Sequence, residues 1–539
     1  MPAAYQSQIL DHLGLVAAMF AELGIGDIID QAIVQDTSKR QVSVGQAVKA
    51  MVLNGLGFVN QRLYLVARFF DNKPLERLIG AGVEATHLND DVLGRALDAL
   101  YDVGVTPLYT LMATEACARL GLVPSSVHLD TTSFHVDGRY NSAEPPEETV
   151  IHIPQGYSRD HRPDLNQVML ELMVEHQAGI PLWMTPLSGN SSDPVEFGRM
   201  VDEHLIQLCS AELPRYVVAD RALYGAENLG KLATSAVTWI TRVPATLKEV
   251  QGHLAHVDLA TMAPLTDGYH YREVSSRFGG VEQRWLVVYS ETRHKQGHRT
   301  VDQQLATHSD TERKAFKKLC AKTFACEADA RQALEQFKAT LAVTRIEGEA
   351  IRMIARHGGR GRPAPGQPPA RVDYTIAGAL ASSLATRRAL LAQKSCFVLA
   401  TNELDSSVLG AQEVLAAYKA QSAAERGFRF LKDPQFLASS LYLKKPERIM
   451  ALLMVMTVCL LVYAALEYRL RQALRAHNET FPDQKGRPTQ HPTARWVFHC
   501  FVGIHVLLGA TDKPLVLNLQ EHHQSVLKVM GTAYETLYS

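Results

Sequence analysis

Three acidic residues stand where their surroundings could put them to chemical use. Asp130 follows the run Ser126-Val127-His128-Leu129 and precedes Thr131-Thr132-Ser133-Phe134. Asp220 follows Tyr216-Val217-Val218-Ala219 and precedes Arg221-Ala222-Leu223-Tyr224. Each reads as a short strand ending in an acid. Glu425 lies in the stretch 418–432, which is Ala-rich, lacks Pro and reads as one helix with Gly427 a tolerable cost. On a helix, positions seven apart drift by about 20° and positions four apart by about 40°, so Tyr418, Gln421, Glu425, Arg429 and Lys432 share a face. A carboxylate among a phenol, an amide and two cations can hold a hard metal ion while the cations contact phosphates. Taken alone, the same stretch would equally make a solvated, charged helix face.

Two strand-end aspartates and a later helix glutamate form the donor set of a two-metal phosphoryl-transfer site. Here the sequence resembles the DDE transposases of bacterial insertion sequences, above all the subgroup with a Tyr-x2-Arg-x3-Glu-x6-Lys signature. Tyr418, Glu425 and Lys432 keep that spacing, and Gln421 stands in place of the arginine. The resemblance implies that Asp130, Asp220 and Glu425 are the catalytic residues and the ligands of two Mg²⁺ ions, with Mn²⁺ an acceptable substitute and Asp130 bridging both. It implies DNA contacts for Tyr418, Lys432 and Arg221, with Tyr224 and Gln421 as further candidates. Arg429 is expected to replace the missing arginine's charge, with Arg426 facing elsewhere. Double-stranded DNA, both the element's terminal inverted repeats and the target, is the implied partner of a homodimer that moves DNA by cut and paste.

Other motifs are weaker. Asp137 reads as a turn residue and Asp193 as a helix cap. His128 and His135 flank Asp130, but no HxxxH or HExxH pattern involves them, so they read as structural. There is no G-x-x-x-x-G-K-[ST] loop and no G-x-S-x-G elbow, which argues against a nucleotide hydrolase, a nucleotide cofactor or a serine hydrolase.

The elements that must position these residues follow in chain order. Residues 1–120 read as an all-helical domain, with apolar residues at helical spacing from Leu10 to Phe20 and from Val44 to Val52. They carry nine Lys/Arg against thirteen Asp/Glu. Lys39, Arg40 and Lys49 are the candidates for reading element ends there, beside a packing or protein–protein role. A catalytic core over 124–245 starts with the Asp130 strand and a polar stretch at 137–165. A hairpin around Gln177-Ala178-Gly179, a helix from Pro194 to about Cys209, the Asp220 strand, a helix near 226–234 and a strand at 237–241 follow. This order fits an α/β, RNase H-like mixed sheet with flanking helices. Residues 246–392 read as an inserted α+β domain, because the connection from Asp220 to Glu425 is far longer than a sheet requires. Within it, strands meet across Gly279-Gly280, and residues 310–356 read as charged helices. Lys314, Lys318 and Lys322 form a basic stripe suited to DNA phosphates. Residues 293–371 hold sixteen Lys/Arg against eight Asp/Glu, and 357–369 reads as a basic flexible loop. The core resumes over 393–470 with strands near 372–376 and 396–400 leading in, and 471–539 reads as a helical C-terminal segment.

Composition bounds the rest. At 539 residues the chain exceeds one core, and 46% hydrophobic with 21% charged residues excludes wholesale disorder. A net charge of −1 means any affinity for nucleic acid comes from local patches. Seven cysteines with no CxxC pair suit reduced thiols in a cytoplasmic protein, and no basic n-region precedes an apolar run. Residues 449–466 carry no formal charge and reach spanning length, yet a helix buried on all sides reads alike, and burial is the expectation. The rival readings are a nuclease of the same fold without strand transfer, and an inactive DNA-binding or membrane-associated protein.

Overall fold

The computed structural model describes residues 6–35, 40–58, 65–136, 140, 150–155, 162, 164–191, 216–234, 237–255, 257–266, 268–358, 368–433, 443–509 and 514–539. The expected helix over 194–209 and its cap Asp193, together with Asp137, Lys39 and most of the stretches 137–165 and 357–369, lie outside these residues. The chain divides into two compact units. One comprises Met1–Thr241, Gly279–Val281 and Leu415–Ser539; the other comprises Arg242–Phe278 and Glu282–Val414. The second unit is thus an insertion whose limits fall at 242 and 414, where the sequence placed 246 and 392.

The first unit opens with a strand, β1 (Gln6–Ile9), which pairs antiparallel with the strand His505–Leu508. Seven helices follow: α1 (Leu13–Glu22), α2 (Ile25–Ala32), α3 (Val44–Leu56), α4 (Val66–Phe70), α5 (Leu75–Leu78), α6 (Asp90–Val103) and α7 (Val105–Leu120). Local chemistry sets their ends. Ser43 caps α3 by accepting from the Gln46 N–H at 3.1 Å while the Gln46 side chain returns to the Ser43 N–H at 3.0 Å. Gly121, at φ 63°, ends α7 in the left-handed conformation.

These helices do not enclose a core of their own. They pack around the long helix Pro446–Ala476, whose apolar stretch is 94% buried. Its one polar residue there without solvent, Thr457, donates its hydroxyl to the Leu453 carbonyl at 2.8 Å. Arg448 on Asp98 at 2.7 Å and Arg469 on Glu22 at 3.0 Å tie its ends to the helical layer. Its length and apolarity are therefore accounted for by packing inside the protein.

The same core takes in one face of a sheet. Its strands are β2 (Ser126–Val136), β3 (Asn166–Glu175), β4 (Pro181–Ser188), β5 (Tyr216–Ala219) and β6 (Trp239–Arg242), in the spatial order β4-β3-β2-β5-β6. β3 runs antiparallel to both β2 and β4, and β5 runs parallel to both β2 and β6. Three antiparallel strands followed by parallel ones, with helices on the sheet, is the expected RNase H-like mixed arrangement. The β3–β4 hairpin turn is held by the buried Glu175 carboxylate, which accepts from the N–H groups of Gln177, Ala178 and Ile180 at 2.6, 2.7 and 3.0 Å. Gly179, at φ 77°, supplies the left-handed residue that turn needs.

The second unit holds the strands β7 (Ala263–Thr266), β8 (Tyr269–Phe278), β9 (Val281–Ser290), β10 (Thr344–Arg356), β11 (Arg371–Ser382) and β12 (Cys396–Thr401). β12, β9, β8 and β7 lie side by side, and β10 pairs with β11 in a separate hairpin. Two sequence expectations change here. Residues 344–356 form β10, since Ile346, Ile351 and Ile354 face a partner strand; the charged helices are Glu291–Cys320 and Glu327–Lys338. The strand expected at 372–376 belongs to the same hairpin.

Candidate active site

Asp130 and Asp220 meet through strand register. β2 and β5 run parallel with Leu129 opposite Ala219, so the next position on each strand is an aspartate. Neighbouring strands lie about 4.8 Å apart, which sets these two residues side by side at one level of the sheet. Thr131 donates its N–H to Asp130 Oδ1 at 2.9 Å, and Thr241 on β6 donates its hydroxyl to the Asp220 backbone carbonyl at 2.7 Å. Both carboxyl-bearing residues are half-buried.

Asp130 shares its strand parity with Phe134 and Val136, which belong to the large core. It therefore lies on the sheet face that the helices cover. One of those helices is Ser422–Leu431, which carries Glu425 and packs against β2 and β3. Its Phe428 and Leu431 are buried in the core, and Glu425 is exposed. Gly427 is what lets this helix lie close to the long one, because a Cβ there would stand 3.0 Å from Leu460 Cδ2.

The helix expected over 418–432 is broken. Ala411–Ala420 and Ser422–Leu431 are separate, with Gln421 between them bonding its N–H to the Tyr418 carbonyl at 3.3 Å, one residue short of α-helical spacing. Tyr418 thus belongs to the preceding helix. Gln421 is only 9% exposed and Tyr224 7%, so both pack within the fold. Arg221 is exposed on the turn after Asp220, and Lys432 is the half-buried C-cap of the Glu425 helix. Arg429 and Arg426 line one and the same cleft, which corrects the expectation that Arg426 faces elsewhere.

The aspartate pair fits a divalent ion by donor type, and adjacent oxygens suit a hard cation. Among the described residues, however, no three His, Cys, Asp or Glu side chains stand close enough to hold an ion, so Glu425 is set apart from the pair. His128, two residues before Asp130, is fully buried, and neither ring nitrogen has a hydrogen-bond partner among the described residues. Burial, reinforced by His176, pushes its pKa down to about 4. It is a neutral core side chain, as expected.

Elsewhere, Lys314 and Lys318 are exposed on the helix Glu291–Cys320, opposite its buried Phe316 and Leu319, and Lys322 lies in the turn beyond it. The basic stripe thus has two helical members and one in a turn. Lys49 is half-buried, and burial lowers its pKa to about 8, which removes it from the set of exposed bases. The helix Glu291–Cys320 also carries an HxxxH pattern outside the sequence candidates. His298 Nε2 and His294 Nε2 are 3.1 Å apart, while Arg387 reaches His298 Nδ1 at 3.4 Å and His294 Nδ1 reaches Ser395 Oγ at 3.0 Å. Since arginine can only donate, His298 carries its proton on Nε2 and passes a hydrogen bond to His294. The pair is a hydrogen-bond chain tying two helices, and a metal at those nitrogens would displace it.

The strand expected to end at Asp130 continues to Val136, so Asp130 lies within β2 and Asp220 just past the end of β5. Fold and site together define an RNase H-like protein with aspartates on adjacent parallel strands, the class whose chemistry is metal-assisted phosphoryl transfer on nucleic acid. Within that class the chain belongs to the DDE transposases: the transposase DDE domain model matches residues 125–462, and a domain of unknown function (DUF4277) matches 5–114. It is a transposase, a DNA-cleaving and divalent-metal-dependent kind of enzyme. No curated protein matches it. Among solved structures, a piggyBac transposase synaptic complex with hairpin DNA is similar over 93% of this chain and 82% of that one. The identity is 11% and the TM-score 0.37.

Proposed function

We propose that this protein is an insertion-sequence transposase that nicks and joins DNA at the terminal inverted repeats of its element. The observation that carries the reading is the register of β2 and β5, which brings Asp130, within β2, beside Asp220, just past the end of β5, on a sheet against which the helix of Glu425 packs. Asp130 and Asp220 would hold two Mg²⁺ ions, or Mn²⁺ in their place, which would supply a nucleophile at neutral pH and offset charge on the departing oxygen. The Thr131 N–H orients the Asp130 carboxylate, and Thr241 fixes the strand end at Asp220. Glu425 would complete the donor set once DNA and metal are bound. Arg221 and Lys432 steady phosphates beside the reacting one, and Lys314, Lys318 and Lys322 offer a second phosphate-contacting surface. The family resemblance supports a homodimer on paired ends and cut-and-paste movement. Six described cysteines, all free, support a bacterial cytoplasmic setting with DNA.

The test is cleavage of a DNA fragment carrying the gene's native flanks, with Mg²⁺, beside Asp130→Ala and Glu425→Gln. Breaks at the element boundary that vanish in both variants, with joined products, are expected. Scattered breaks without joining would make the protein a nuclease of the same fold, and undiminished cleavage by either variant would overturn the site.

A further inference from the structure

The flank of the Glu425 helix that carries Arg426, Arg429 and Phe430 borders a cleft of about 460 Å³. Its other walls are the long helix at Leu460, Tyr463 and Glu467, the β3–β4 turn at His176–Gly179, and Thr493 with Arg495. Four arginines line it: Arg426, Arg429, Arg471 and Arg495. Two of these are spoken for. Arg471 pairs with Glu467 at 2.6 Å and also donates to the Pro492 carbonyl at 2.9 Å. Arg495 pairs with Asp433 and lies over the Phe58 ring at 5.4 Å. Arg426 and Arg429 are exposed and have no acidic partner among the described residues. The cleft therefore carries an uncompensated charge of two guanidinium groups.

The floor supplies a further donor. Tyr463 stacks on Phe430 at 4.5 Å, and its oxygen accepts the Arg495 N–H at 3.2 Å. Burial, with Glu467 next, pushes its hydroxyl up to about 12, so it keeps its proton, and that proton has no acceptor among the described residues. Two free guanidinium forks and one hydroxyl converge on a space large enough for a phosphate group and part of its sugar. Guanidinium forks match phosphate oxygens in pairs, which a point-charge cation does not.

We propose that this cleft binds a backbone phosphate of the DNA, outside the phosphate that reacts. The proposal rests on the DNA-cleaving reading above and adds a contact on the flank of the Glu425 helix that borders the cleft. Arg426 and Arg429 both hold it and are binding residues, where the sequence offered Arg429 alone.

The test measures duplex DNA binding by the full chain over a range of salt, in EDTA so that no cleavage occurs. Binding by wild type is compared with Arg426→Ala, Arg429→Ala, the double variant and Arg426→Lys/Arg429→Lys, with thermal melting to verify folding. The double alanine variant is expected to weaken binding at least tenfold. It should lower the slope of log affinity against log salt by about one to two, since each phosphate contact contributes about 0.9. Each single variant should give part of that loss, and the lysine variant should keep the slope while losing some affinity. Inorganic phosphate is the second probe: a melting shift with phosphate in wild type, lost in the double variant, with an unchanged DNA slope would make this a free-phosphate site and overturn the DNA assignment. An unchanged slope with no phosphate response would overturn the site altogether. Asp130→Ala and Glu425→Gln serve as the separate control. They are expected to keep the slope while abolishing cleavage, so the catalytic reading can fail without touching this one.

Discussion

At the scale of single residues, burial governs more of the behaviour than charge does. His128 sits two positions from Asp130 with its ring fully buried, and its pKa falls from about 6.5 to about 4. The sign follows from the unfolded chain binding the proton more readily than the folded one. The stability this neutral ring contributes is complete above pH 6.5 and is lost as pH falls toward 4, up to about 3 kcal/mol. His12, His523 and His294 are lowered by the same cause, so the effect accumulates. We expect the Tm to drop steadily from pH 6.5 to 4.5, and His128→Phe to flatten part of that slope. A Tm that stays level across the interval would show these rings are hydrated or paired. The residues themselves were legible in the sequence to different degrees. Asp130 and Asp220 could be found because an acid ending an apolar run is a local pattern. The role of Arg426 could not, since its partners in the cleft come from residues as distant as Tyr463 and Arg495.

At the scale of elements, the strands that carry the aspartates are legible in the sequence, whereas β10, the strand Gln6–Ile9 in the segment expected to be all-helical, and its partner His505–Leu508 in the C-terminal segment expected to be helical are not. Ser126–Val136 and Tyr216–Ala219 declare themselves through β-branched and aromatic residues that pack on both sides. Residues 344–356 misled because glutamates and arginines among isoleucines suit an exposed hairpin and a charged helix equally. The break at Gln421 left no local trace, as Ala and Gln favour helix, and only the packing of two successive helices imposes it. Gly427 has a similar history: read as a cost to the helix, it is the point of closest approach to Leu460. Gly427→Val should therefore destabilise the protein by about 1–3 kcal/mol through overpacking, seen as a lower denaturation midpoint, and should reduce cleavage by misplacing Glu425. Gly427→Val with Leu460→Ala should recover part of both losses. Independent, additive losses would place the contact elsewhere.

At the scale of the molecule, one core joins parts that sequence alone would separate. The N-terminal helices, the catalytic sheet and the C-terminal helices all bury apolar surface on Pro446–Ala476. No local periodicity could announce this, because what the apolar helix packs against lies hundreds of residues away. In the same arrangement residues 449–466 are covered by protein, the burial expected of them. The closure of this core is visible at Tyr538. Its ring fills the space above Gly14, where a Cβ would come within 2.5 Å, and its hydroxyl donates to the Asp11 carbonyl at 2.6 Å. Tyr538→Ala is expected to cost about 3–5 kcal/mol and to lower the Tm markedly, whereas removing residues 494–539 should yield insoluble protein. A soluble, cooperatively melting truncation would show that the N-terminal layer closes without them.

The pairing of β1 with His505–Leu508 also fixes when the fold can close. Chains begin folding from the N-terminus as they leave the ribosome. Here β1 waits for His505–Leu508, and the apolar faces of α1 and α3 wait for Pro446–Ala476, so this surface stays uncovered until those later segments have been made. Exposed apolar surface of that kind invites aggregation and chaperone capture. Slow or interrupted translation before residue 505 is therefore expected to lower the yield of folded transposase more steeply than its message level would suggest.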